Sequence, residues 1–127
     1  MTHPVVHIEV EDEPGVRNCI FSGALDVFSA SIVGARALAG LPADAKELVL
    51  QLRDLEFMDS AGISALVRLR DQARARGAEV HAQLGRAPHI NQTVVAVIRR
   101  VLVVDDLADE DVELDPDPAA LAATSGG

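Results

Sequence analysis

The residues best placed to do chemistry lie in the run Leu52-Arg53-Asp54-Leu55-Glu56-Phe57-Met58-Asp59-Ser60-Ala61-Gly62-Ile63. An apolar, strand-like stretch leads into a helical pattern, and Ser60 stands at the junction. A hydroxyl there can cap the free amides of the first helical turn, and on an exposed edge it can also receive a phosphate from a kinase. Phosphorylation adds about −1.5 to −2 charges at pH 7 together with strong acceptor oxygens. The helix N-terminus favours that charge by up to ~2 kcal/mol, whereas Asp59, Asp54 and Glu56 oppose it. A partner packed over Ser60 would bury the dianion unpaired, at a cost of several kcal/mol, and ~1.4 kcal/mol is already tenfold in binding. Modification of Ser60 is therefore expected to break an interface and leave the fold in place. The plainer reading of the same residues is a serine that only caps its helix, with Asp59 a solvated neighbour.

Other chemistries find less support. His3, His7, His81 and His89 form no i, i+4 pair and have no cysteine pair beside them, so neither a metal site nor a cofactor is expected. Ser60 is not in a Gly-x-Ser-x-Gly elbow, no Gly-x-x-x-x-Gly-Lys loop is present to cradle a phosphate, and the chain is not expected to be an enzyme. Ser29 and Ser31, near another helix start, are lesser candidates for modification. Cys19 is the single cysteine, which rules out an internal disulfide and suits a small buried thiol. Arg68, Arg70, Arg74 and Arg76 read as a solvated helix face, or as a surface for an acidic patch on a partner or for the chain's own tail.

The elements that would position Ser60 follow from pattern. Aromatic residues make up 2% of the 127 residues, with no Trp or Tyr, so Val, Leu, Ile and Ala must build the core. Val5–Val10 and Arg17–Phe21 read as a hairpin around the acidic turn 11–15, the second strand ending at Ser22-Gly23. Phe28, Ile32, Ala35 and Leu38 mark one face of a helix capped by Asp26 or Ser29 and stopped by Gly40 and Pro42. Lys46–Leu52 reads as a central strand, and residues 54–59 carry the chain over the sheet edge. A helix from Ser60 to about Arg76 turns Ile63, Leu66, Val67 and Ala73 inward and ends at Gly77. Glu79–Leu84 reads as a strand. Pro88 opens a third helix with Ile90, Val94, Val97, Ile98 and Val101 on one face, and residues 102–104 form a short edge strand. Alternating strands and helices predict an α/β fold, a mixed and mostly parallel sheet of four to five strands packed against helices.

Charge divides the chain. Residues 1–104 hold twelve acids and eleven bases, while residues 105–127 hold eight acids and no base. We expect one domain over 1–104 and an acidic, partly disordered tail over 105–127. Clustered basic residues of the kind that bind nucleic acid or an anionic membrane surface are missing. With no signal-like N-terminus and no apolar run near ~20 residues, a cytoplasmic protein is expected.

Two segments resemble those of STAS-domain anti-sigma-factor antagonists. Phe57-Met58-Asp59-Ser60-Ala61-Gly62-Ile63 is similar to that family's phosphorylation motif, and Phe21-Ser22-Gly23-Ala24-Leu25-Asp26 to its Gly-x-Leu-Asp segment. The order of elements over residues 5–84 matches as well. The resemblance implies a STAS fold and a partner-switching cycle. An unphosphorylated antagonist binds an anti-sigma factor that is also a serine kinase and frees a sigma factor; phosphorylation at Ser60 separates them, and a serine phosphatase resets the system. Asp26, Asp59, Ser60, Ala61 and Gly62 would belong to the docking surface, Gly62 letting the helix start approach the partner backbone. A monomer or weak dimer is implied. Ala24 departs from a position that is often acidic in the family. Beyond Leu84, residues 89–93 lack the usual basic opening of the last helix, and residues 99–102 the glycine that ends it. Other members of the fold are stand-alone scaffold subunits of lipid-transport ABC complexes or of stressosomes, and these are the alternative roles.

Overall fold

A computed structural model describes residues 5–85 and 88–105. The expected acidic tail lies outside the described residues except for Asp105. Five strands, β1 (His7–Glu13), β2 (Val16–Leu25), β3 (Glu47–Met58), β4 (Glu79–Gln83) and β5 (Val103–Val104), form one sheet in the order β1-β2-β3-β4-β5. The first pair is antiparallel and the others are parallel. Helix α1 (Val33–Leu38) is preceded by a single 3-10 turn, Ala30–Ile32; α2 (Ser60–Ala75) follows β3, and α3 (Gln92–Val101) follows β4. This is the mixed, mostly parallel α/β sheet expected from the sequence. Its core is aliphatic: Leu48, Leu50 and Leu52 of β3 and Leu66, Leu69 and Ala73 of α2 are inaccessible to solvent, and Phe21 is the one phenylalanine buried with them.

Several local expectations are corrected, each for a physical reason. The acids Glu11, Asp12 and Glu13 belong to β1 and not to the turn, which consists of Pro14 and Gly15 alone. β1 is an edge strand exposed along most of its length, where charge is tolerated and discourages pairing with other chains. β3 does not stop at Leu52; it continues to Met58. The buried residues Leu52, Leu55 and Met58 are three apart, a spacing no regular strand allows, and two register irregularities against β2, at Ile20/Ser22 and Gly23/Ala24, reconcile it. Each lets β3 bulge, so that the next apolar side chain points inward again.

The first helical segment is rotated relative to the predicted face. Of the expected face Leu38 is buried, but Phe28 is 74% exposed and Ala35 is exposed, and Ala30, Val33 and Ala37 are buried with Leu38. On α2, Ala65 and Leu69 join Leu66 and Ala73 inside, while Ile63 and Val67 are half-buried. α3 does not begin at Pro88. Its N-cap is Asn91, whose side chain accepts from the Thr93 amide at 2.6 Å, and Val95 lies inside with Ile98. α2 runs as expected and ends before Gly77, whose φ of +88° suits glycine.

Sequence reading gave no sign of the Arg17 clamp. Arg17 is 3% exposed. It donates to the carbonyls of Ala37, Ala39 and Gly40 at 3.1, 2.6 and 3.0 Å and pairs in bidentate fashion with Asp12 at 2.8 and 3.0 Å. One side chain thereby satisfies carbonyls at the end of α1 and ties them to the hairpin.

Candidate functional site

The C-terminal ends of β2 and β3 and the first turn of α2 meet at one end of the sheet. Asp59 has an extended backbone (φ −116°, ψ −171°), and its carboxylate accepts from the Gly62 amide at 3.0 Å. The helix cap is therefore Asp59 and not Ser60. Ser60 is the first helical residue and is exposed, and among the described residues its hydroxyl makes no hydrogen bond. With Asp59 satisfying the helix end, the Ser60 hydroxyl stands in solvent.

The same end of the sheet carries an apolar rim. Val27 is 65% exposed, Phe28 74% and Phe57 50%, which makes these among the largest apolar side chains left in water on the domain. From the sequence Phe28 reads as part of a helix face and Phe57 as part of the connection over the sheet edge, and neither as an apolar surface feature. Phe57 comes forward through the bulge in β3. Phe28 is held out by the corner after β2, where Asp26 Oδ1 accepts from the amides of Phe28 (3.0 Å) and Ser29 (3.3 Å).

Of the candidates, Asp59, Ser60, Ala61 and Gly62 are brought together in the first turn of α2, Ala61 half-buried and Gly62 buried. Asp26 lies at the adjoining corner and is 6% exposed, anchoring the turn from beneath the surface. Ser29 is 2% exposed; its hydroxyl accepts from the Asp26 amide at 3.2 Å and donates to Ala24 O at 3.0 Å, which removes it as a target for modification. The close approach that glycine permits at Gly62 is internal. A Cβ on Gly62 would lie 2.5 Å from Leu25 O and 2.8 Å from Met58 Cγ, so the missing side chain lets α2 start against β2 of its own domain. His89 lines a depression with Ser22, Asp54 and Glu56, and Ser60 is not among the residues that line it.

The sequence model of the STAS domain matches residues 7–81, which hold both the corner and the first turn of α2. The chain belongs to the STAS domain family. The curated proteins hold no match to it. Among solved structures, this STAS domain is similar to an anti-sigma factor antagonist from Mycobacterium paratuberculosis (TM-score 0.61, 20% identity, 84% of this chain and 92% of that one). It is similar also to the unphosphorylated form of the anti-sigma factor antagonist SpoIIAA (TM-score 0.60, 16% identity, 84% and 94%). A third likeness is to the murine anion transporter Slc26a9 in its inward-facing state (TM-score 0.60, 18% identity, 80% of this chain). The STAS domain spans 18% of the length of that transporter, and likewise 18% of the protein Mglu. At these identities the likenesses establish the α/β STAS fold. Proteins of this fold include regulatory antagonists and parts of transporters, and among the described residues no helix is long and apolar enough to cross a membrane.

Proposed function

We propose that this STAS domain is an anti-sigma-factor antagonist, a switch that binds an anti-sigma factor with serine-kinase activity while Ser60 is unmodified. One observation carries the reading: Ser60 is exposed at the first position of α2 with its hydroxyl unengaged, because Asp59 has taken over the capping role. A kinase can reach that hydroxyl without unwinding the helix. Val27, Phe28 and Phe57 supply the apolar contact area, Asp59 and Ala61 border it, and Asp26 and Gly62 hold its two halves in register from below. A phosphate on Ser60 would sit at a helix N-terminus, which favours it, so the domain stays folded. An apolar partner surface pressed against it would have to desolvate the dianion, and the complex separates. A serine phosphatase restores the binding form, and binding of the kinase frees its sigma factor.

The test is a comparative pull-down from source-cell lysate with wild type, Ser60→Ala and Ser60→Asp as baits, read by mass spectrometry, with urea unfolding to confirm that all three are folded. A serine kinase held by wild type and Ser60→Ala but lost with Ser60→Asp is the expected result. Retention of one transporter ATPase by all three baits would overturn the reading and establish a constitutive scaffold. Assembly into very large particles on size-exclusion chromatography would place the chain in a stressosome.

A further inference from the structure

Among the described residues, helices cover only one face of the sheet. Cys19, Phe21, Leu48, Leu50, Val80 and Ala82 turn toward α1, α2 and α3 and join the buried cluster. Side chains alternate along a strand, and the alternates Val16, Ile20, Val49 and Val103 lie outside that cluster, on the other face. Four of the five strands run parallel, and parallel sheets are almost always covered on both faces. Here Val16, Ile20 and Val49 are half-buried and Val103 is 51% exposed. Asn18, Val49, His81 and Val103 stand side by side in one row across the sheet, with Ile20 and Gln51 in the next.

Acids border this strip on two sides. Glu9, Glu11 and Glu13 alternate along β1, opposite Ile20, Asn18 and Val16, and Glu47 and Glu79 continue the row of Glu13 and Val16 across β3 and β4. All five are exposed. His7 lies 3.7 Å from Glu9, Arg74 lies 3.5 Å from Glu79, and Arg53 is exposed farther along β3. Among the described residues Glu11, Glu13 and Glu47 have no basic partner. Exposed arginines gather instead on the helical layer, at Arg36, Arg68, Arg76, Arg99 and Arg100. A second copy laid sheet to sheet would oppose carboxylate to carboxylate, which costs affinity. Laid sheet to helices, copies would not close and would grow into fibres. The charge pattern fits a helix that carries an apolar stripe with lysines or arginines beside it.

We propose that the uncovered sheet face docks a cationic amphipathic helix of a partner protein, its apolar stripe on Val16, Ile20, Val49 and Val103 and its basic side chains against Glu11, Glu13 and Glu47. A helix of about 13 residues is ~19 Å long, which matches the distance from β1 to β5 at ~4.8 Å per strand. The exposed ion pairs weaken as salt shortens the screening length. The contact does not use Ser60 and stands whether or not the chain is an antagonist.

The probe is a displayed library of helical peptides of about 18 residues, above the length at which isolated helices are marginal, with a fixed leucine stripe and Lys, Glu or Ser drawn at random beside it. Peptides are selected on the full chain and counter-selected on Ile20→Lys, with urea unfolding to confirm that the variant is folded. Should it fail to fold, Val103→Lys, at an exposed position, takes its place. Lysine should be enriched over glutamate beside the stripe, and amide shifts on binding should centre on Ile20, Val49 and Val103 and spare Val27, Phe28 and Phe57. Glu9→Lys with Glu11→Lys and Glu13→Lys should weaken the selected peptides about tenfold. Selected peptides without the lysine preference, shifts centred on the Ser60 end, or no selected peptide at all would overturn the proposal. So would sedimentation of the chain alone as a dimer or polymer that Val103→Lys disperses, which would make a second copy the occupant.

Discussion

Gly62→Ala should destabilise the domain, although alanine is the better helix former. The added methyl would lie 2.5 Å from Leu25 O and 2.8 Å from Met58 Cγ. Ordinary contact begins near 3.4 Å, so the first turn of α2 would have to withdraw by about 0.9 Å. Leu25 O cannot move aside alone, because it belongs to β2 and accepts from the Asp59 amide. Overpacking of this kind costs ~1–3 kcal/mol, and withdrawal also loosens the bond from the Gly62 amide to Asp59, a cap worth ~1 kcal/mol. Against this stands a propensity gain of up to ~1 kcal/mol. The balance is a loss of about 2 kcal/mol. With a urea dependence of ~1–3 kcal/mol per molar for a small domain, the midpoint should fall by about 1 M. Ser64→Ala, exposed on the same helix, is the control and should be neutral or slightly stabilising. If Gly62→Ala matched or exceeded wild type in midpoint with an unchanged slope, the close approach of α2 to β2 would be wrong, and with it the account of how the Ser60 turn is held.

Asp59→Ala removes the cap of α2 and should cost ~1 kcal/mol in urea unfolding, whereas Ser60→Ala should change stability by less than about 0.5 kcal/mol; equal losses would mean that Ser60 shares the cap. Arg17→Met leaves three carbonyls and Asp12 without their donor and should destabilise by ~3–5 kcal/mol, a loss that thermal and urea unfolding should report alike. The Arg17 guanidinium holds the Asp12 carboxyl below its ordinary value. The native state then binds that proton less readily than the unfolded chain, so the pair's stabilisation is full above about pH 4 and fades as pH falls through the lower native value. Asp12→Asn should flatten that part of the acid-unfolding profile. Burial pushes the Cys19 thiol up to about 12, so alkylation at neutral pH should proceed only as fast as the domain opens, and rapid modification of the native protein would contradict the packing.

The sequence alone settled the alternation of strands and helices, the span of α2, the aliphatic core and the junction that carries Ser60, because these rest on local periodicity and on the stop at Gly77. Where neighbouring strands set the outcome, local pattern failed. Leu52 reads as the end of a strand and residues 54–59 as a connection over the sheet edge, until pairing with β2 shows the two bulges that keep Leu55 and Met58 inside, and the acids of β1 read as a turn until their place at the sheet edge is known. Phe28 matched a helical spacing, yet the Asp26 corner holds it in solvent. Only the tertiary structure decided which of Asp59 and Ser60 caps the helix. Both side chains are good caps by type, and the choice depends on the backbone angle at which β3 enters α2. Gly62 and Arg17 follow the same logic: a glycine and an arginine in sequence, they become a contact with Leu25 and a clamp on α1 only when segments distant along the chain are packed together.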